Sequence, residues 1–403
     1  MGFLKHYPDP EQLLASRTEE GGFPLKVNNH IHTPYSFSAF QSVEEAVRLA
    51  VSEDIRVLGI NDFYTTDGYE EFVDECQKQA VFPLLNVEMI GVSKPLQQKG
   101  IRINDPNNPG RIYISGKGLA FPSVLPPDLK EKVAGVIRES NRQVSRMVQL
   151  VNEWMDKHGL ALTISVEEIM RDQARGLLRE RHVARMLRMK LNEIFHEDRH
   201  YYQTLKTIFD GTGPSSRRED VAGTEDELRA RLLKAGAPAF VPEEETAFMP
   251  VEEITHIIRE AGGIPTYPLL VDGAGGSITD FESDKEALFQ SLQEEGIRSI
   301  ELIPLRNQFE QLKAYSEFFY NRGFVVSFGT EHNTSAMRPL TVSCKGGVPL
   351  DPPLLEIALS GAAAVAAHQY LVEKEGKGYP DRTRDEMERL GKAVIFHYLQ
   401  VHR

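Results

Sequence analysis

Cysteine is nearly absent: Cys76 and Cys344 are the only two in 403 residues. Two cannot build a disulfide framework or a thiolate-bound zinc cluster, and such sparing use fits a reducing cytosol. Positive charge is also in deficit. The formal net charge of −13 argues against a broad nucleic-acid-binding face, while leaving room for a small basic pocket that takes a small anion. Residues 1–24 carry scattered charges (Lys5, Asp9, Glu11, Arg17, Glu19, Glu20) and lack the apolar run of a signal peptide or membrane span. Gly2 lacks the Ser or Thr at position 6 that myristoylation needs. No Gly-x-Ser-x-Gly elbow marks a serine nucleophile, and no Gly-x-Gly-x-x-Gly follows the first strand pattern, so neither a serine triad nor a dinucleotide cofactor is expected. These absences predict a cytoplasmic, soluble protein with no membrane partner.

What is present is an ordinary globular composition, 41% hydrophobic and 26% charged, long enough for one enlarged α/β barrel or two domains. Short β-branched segments alternate with helical patterns, which predicts a parallel sheet or barrel. Strands are expected at 26–32, 56–62, 83–91, 160–164, 263–268, 299–304 and 324–329, with helices at 42–52, 250–261, 284–295 and 308–321 between several of them. The alternation breaks between Ser93 and Gly262. There the turn-rich stretch 104–111 precedes a long helix from about Leu129 to His158, opened by Asp128 with Glu131 as a capping box and closed by Gly159. This predicts an N-terminal extension (1–24), a barrel (25–348) with a helical insertion at about 93–235, and a helical C-terminal extension (349–403). In that extension His368, within a small-residue helix, reads as structural.

The chemistry sits at strand ends. His30 and His32 lie one residue apart in Asn29-His30-Ile31-His32-Thr33, and in a strand residues i and i+2 share a face, roughly 6 to 7 Å apart. Two imidazoles can thus converge on one cation. Asp62, Glu88, Glu331 and His332 end or interrupt further apolar runs. A carboxylate inside a buried strand is costly to desolvate unless paired or metal-bound, and several at successive strand ends make a divalent metal site the economical explanation. His30, His32, Asp62, Glu88 and Glu331 are the expected ligands. Imidazole with carboxylate suits zinc, manganese or iron. Gly273-Ala274-Gly275-Gly276 reads as a turn at the barrel mouth, since it lacks the Gly-Lys-Ser/Thr ending of a nucleotide loop.

The ordered set His30-Ile31-His32, Asp62, Asn86-Val87-Glu88, Arg179-Glu180-Arg181-His182, Thr266-Tyr267-Pro268 and Gly329-Thr330-Glu331-His332 resembles the polymerase-and-histidinol-phosphatase, or PHP, superfamily, in particular its small-molecule phosphoesterases. The resemblance implies a distorted (β/α)7 barrel with a helical insertion and a helical C-terminal extension, holding up to three metals that drive phosphoester hydrolysis. It also implies that Arg179, Arg181 and His182 bind the phosphate of a small phosphorylated metabolite. Phe63, Tyr267 and Asn333 stand where the family usually has histidines, so one or two ions are expected rather than three. In this scheme His332 is a ligand or proton donor, and Tyr267 is a compensating proton donor. The rival readings are a non-hydrolytic binding protein that kept the barrel, and a metal hydrolase acting on a C–N or C–O bond.

Overall fold

Seven strands roll into a nearly closed sheet in the computed structural model, which describes residues 2–16, 25–271, 278–379 and 381–402. In chain order they are β1 (Lys26–Ile31), β2 (Ile55–Phe63), β3 (Phe82–Val92), β4 (Arg111–Lys117), β5 (Ile264–Leu269), β6 (Ser299–Leu302) and β7 (Val325–Phe328). They neighbour one another in that order. All pairings are parallel except those of β4, which runs antiparallel to both β3 and β5. The sheet closes where the chain leaving β7 returns to β1: the His32 amide donates to the Glu331 carbonyl at 2.8 Å, and the Glu331 amide to the His30 carbonyl at 2.8 Å. Gly329 makes this approach feasible, because a Cβ there would lie 2.2 Å from that of His30.

Helices cover the outside of the sheet, which is why its strands are buried on both faces. α1 (Val43–Ser52) starts where the Ser42 side chain accepts the Glu45 amide, and it buries Val43, Ala46, Val47 and Ala50. α2 (Tyr69–Lys78) buries Tyr69, Phe72, Val73 and Cys76 in the same way. α3 (Pro127–Lys157) opens on Pro127 rather than on an Asp128 capping box: no side chain caps it, and proline fits the first helical position because its missing N–H would have no partner there. The helix Val166–Asp172, α4 (Glu180–Ile194), the helices Asp198–Ile208 and Val221–Leu228, and the helical turn Arg229–Leu233 follow in the insertion. The insertion has a core of its own, built on Val151, Met155, Leu187, Tyr201 and Leu232.

The expected strand at 160–164 belongs to that second core instead of the sheet. Leu162 and Ile164 are buried in it, and Asn152 satisfies both backbone groups of Ile164, at 3.1 and 2.8 Å. β4, by contrast, lies inside the stretch expected to be helical. Its apolar alternation is only Ile112 and Ile114 before Gly116, too short to stand out beside the turn-rich stretch.

α5 (Val251–Glu260), α6 (Lys285–Glu294) and α7 (Phe309–Tyr320) alternate with the later strands. α8 (Pro352–Glu375) and α9 (Arg384–Val401) then pack together, α8 lying on β7, β1 and β3. α8 is long and apolar enough to cross a membrane, but most of it is buried inside the fold. Gly361 lets it touch the sheet, since a Cβ there would meet the Val326 carbonyl at 1.9 Å. His368 on α8 lies 2.6 Å from the Gly262 carbonyl through Nε2 and accepts the Tyr379 amide through Nδ1 at 3.0 Å, a structural tie.

Candidate functional site

His30 in β1 and His32 just past its end meet Glu88 from β3 inside the carboxyl end of the barrel. Their ligand atoms all lie within 4.8 Å of one another, and all three residues are buried. The two Nε2 atoms face each other at 3.1 Å. Glu88 Oε2 lies 3.3 Å from His32 Nε2, yet it is a buried oxygen with no hydrogen-bond partner. An orphaned carboxylate oxygen beside two converging imidazoles is a costly arrangement for the protein alone and a suitable one around a cation. The nitrogen and oxygen donors fit zinc, manganese or iron. Burial pushes the Glu88 carboxyl up to about 7, against the pull of His30. It pushes His32 down to about 4 despite Asp62 and Glu331, keeping that imidazole neutral and available as a ligand.

Around this trio stands a shell of supporting groups. Asp62 accepts the Thr33 amide at 2.8 Å and the Ser36 hydroxyl at 2.6 Å, while Ser36 Oγ lies 3.1 Å from His32 Nδ1. Asp62 is therefore behind His32 and orients it, outside the trio. The Phe63 ring stacks on His32, centroids 4.8 Å apart. Glu301 on β6, absent from the expected ligand set, lies 3.0 Å from His30 Nδ1 and is paired with the fully buried Lys117 of β4. Burial would raise the Glu301 carboxyl, but His30 and Lys117 outweigh it and hold it down at about 2.

A cleft of about 950 Å³ opens onto the trio, lined by His30, Glu88, Phe63, Tyr113, Arg179 and Arg181 among others. Val144 and Met147 of α3 also line it, so the insertion contributes to the cleft wall. Arg179 holds its guanidinium 4.7 Å from the Phe63 ring centre. Arg181 is half-buried, and burial together with Arg229 lowers it to about 10. Among the described residues neither guanidinium has an ion-pair partner, whereas the neighbouring Glu180 is taken by Arg229 at 2.6 Å and Lys234 at 2.5 Å.

Part of this architecture, residues 28–201, matches a known family model. The model is that of the PHP domain, to which this stretch is similar. The match takes in β1 to β4 and most of the insertion, through α4. The fold similarity runs further: a protein from Bifidobacterium adolescentis provisionally described as a metal-dependent phosphoesterase superposes with a TM-score of 0.54 at 14% identity, covering 82% of this chain and 94% of that one. An amidohydrolase from Chromobacterium violaceum, solved with bound sulfate and no metal, gives a TM-score of 0.47 at 14% identity, covering 82% and 96%. No curated protein matches the sequence.

Several expected site residues are placed away from the trio. Glu331 lines the cleft, but its carboxylate is paired with Arg306. Glu331 and His332 both adopt left-handed backbone conformations, φ 70° and 57°, and this double turn carries the His332 ring out of the cleft. It stacks on Phe40, with its nitrogens 2.9 Å from Thr330 Oγ1 and 2.9 Å from the Arg338 carbonyl. His182 is buried beneath the start of α4: its Nδ1 accepts the Arg179 amide at 3.0 Å, its ring meets Phe37 edge-on, and burial pushes it down to about 3. It caps the helix and does not line the cleft. Gly273 to Gly276 lie outside the described residues.

Tyr267, expected as a proton donor, is not among the cleft-lining residues: its hydroxyl donates to Glu282 at 2.9 Å, and it is fully buried. Tyr267→Phe is thus expected to leave metal content and turnover near the parent's and to lower stability by about 1 to 2 kcal/mol, the cost of leaving a buried acceptor short of a donor. Urea denaturation beside a turnover assay checks this; a large loss of turnover at unchanged stability would contradict the placement.

The Glu88 carboxyl predicts a pH effect on the metal-free protein. Its folded value of about 7 lies above the ordinary 4.5, so the stability it contributes is complete below about 4.5 and is lost as pH rises through 7. The melting temperature of metal-free protein should therefore fall between pH 5 and 8 more steeply than that of Glu88→Gln, while added metal reverses the trend by favouring the carboxylate. Parallel slopes for parent and variant would count against this.

Proposed function

We propose that this chain is a metal-dependent hydrolase of a small phosphorylated molecule. One observation carries the reading: two arginines with no ion-pair partner among the described residues share a partly enclosed cleft with a buried His-His-Glu trio. Unpaired half-buried cations call for an anion, and a guanidinium suits phosphate through its planar fork of donors. His30, His32 and Glu88 would hold a divalent ion. When bound, such an ion acts as a Lewis acid and brings the pKa of a bound water toward neutrality.

The chain's own groups do the rest. Arg179 and Arg181 bind and orient the phosphoryl group and offset the charge that develops on its oxygens. Phe63 keeps the floor dry beside His32 and supports the Arg179 guanidinium. Asp62 through Ser36, and Glu301, hold the two imidazoles in place. The wall supplied by α3 restricts the substrate to a small molecule.

Metal analysis of the purified protein, combined with inorganic-phosphate detection across a panel of phosphate monoesters and diesters, tests this. Bound metal with phosphate release supports the reading. Metal without phosphate release from any ester would favour a hydrolase of C–N or C–O bonds. A protein that takes up no metal would favour a non-hydrolytic binding role.

A further inference from the structure

Below the trio, the barrel floor holds a cation for which the hydrolase reading has no use. Lys117 is fully buried, is paired through its ammonium with one oxygen of Glu301, and lies 3.4 Å from Asn61 Oδ1. The other Glu301 oxygen is 3.0 Å from His30 Nδ1 and accepts the Ser115 hydroxyl at 3.1 Å. The Asn61 amide nitrogen completes the cluster, 3.1 Å from the His30 ring nitrogens and 3.2 Å from Ser115 Oγ.

The carboxylates around the trio are equally committed. Asp62 is held by Thr33 and Ser36, Glu331 by Arg306, and Glu301 by Lys117. Among these four acidic groups Glu88 alone keeps a buried oxygen without a partner. Two divalent ions a few ångströms apart repel strongly in a low-dielectric site unless anionic ligands lie between and around them. Here those anions already have their cations or donors.

We propose that the Lys117 ammonium is the permanent second cation of this site: through Glu301 it holds His30 with Nδ1 engaged and Nε2 turned toward His32 and Glu88, and it limits the site to one divalent ion. The proposal rests on the metal site of the hydrolase reading and adds to it the count and the reason for the count. It needs no titration of Lys117, only its position and its pairing.

The test is the number of zinc or manganese ions retained per chain after saturation and gel filtration, with affinity measured by calorimetry. The parent should retain one ion; none would sink the hydrolase reading itself, and two would overturn the inference alone. Lys117→Met, shown to be folded by circular dichroism, should retain two ions, because the freed Glu301 carboxylate becomes a ligand. A folded Lys117→Met that still retains one ion overturns the proposal. Lys117→Met with Glu301→Gln removes both buried charges together, and it covers the case in which the single variant does not fold. It should retain one ion, bound roughly ten- to a hundredfold more weakly because a neutral amide orients His30 less firmly. Parental affinity in that double variant would also overturn the proposal.

Discussion

Replacing His30 and His32 together by alanine is expected to empty the barrel mouth of metal and to reduce ester hydrolysis to the uncatalysed level. The two residues supply both nitrogen donors of the trio, and Glu88 alone cannot hold a transition ion in competition with water. Loss of function must be separated from loss of fold, since both rings are buried. The separation comes from thermal shifts. A ligand that binds only the native state stabilises it by about 2.7 kcal/mol at a hundred times its dissociation constant. Zinc or manganese should thus raise the melting temperature of the parent and leave that of the folded double variant unmoved. Retained metal, or an undiminished thermal shift, would remove the trio as the metal site.

Whether a site residue was legible from sequence depended on how much local backbone geometry its role required. His30 and His32 were readable because strand periodicity alone puts residues i and i+2 on one face, and the structure has their Nε2 atoms 3.1 Å apart. Glu88 was readable as a carboxylate in an apolar strand. The same argument applies to Glu301 between Ile300 and Leu302, but the meaning of such a carboxylate depends on its partner. That partner is Lys117, 184 positions away, in a strand whose pattern was too short to see. His332 and Tyr267 show the opposite failure: standing near a strand end does not fix the direction of a side chain. Two consecutive residues at positive φ turn the His332 ring toward Phe40, and the Tyr267 hydroxyl is held by Glu282, a residue of the following loop.

The fold shows the same division. Barrel and C-terminal helices follow from strand and helix periodicity, while the antiparallel β4 and the extended segment at 160–164 were decided by long-range partners. The Phe63 position is instructive, because the substitution of a family histidine read as a missing ligand. In the structure its ring packs on His32 and under the Arg179 guanidinium. It links the His-His-Glu trio to the arginine side of the cleft, a placement visible only once three separate elements are brought together.

Removing the guanidiniums on that side should separate binding from stability in opposite directions. Arg179→Ala and Arg181→Ala are each expected to weaken binding of a phosphorylated ligand by about 1.5 to 3 kcal/mol, the worth of a hydrogen bond to a charged group, which is roughly ten- to a hundredfold in affinity. The double variant should lose more than either alone but less than the sum if both arginines reach the same phosphoryl oxygens. Metal content should not change, because neither residue is in the trio. Stability argues the other way for Arg181: it is half-buried with no ion-pair partner among the described residues, and burial and Arg229 lower its pKa against the pull of Glu180 and Glu331. Arg181→Met, which keeps an apolar stem and removes the charge, should therefore melt at or above the parental temperature while binding the phosphate ester poorly. A basic surface with no ligand predicts neither half of that pattern. Parental affinity in the arginine variants, or an Arg181→Met that loses both stability and binding, would show that the cluster is structural.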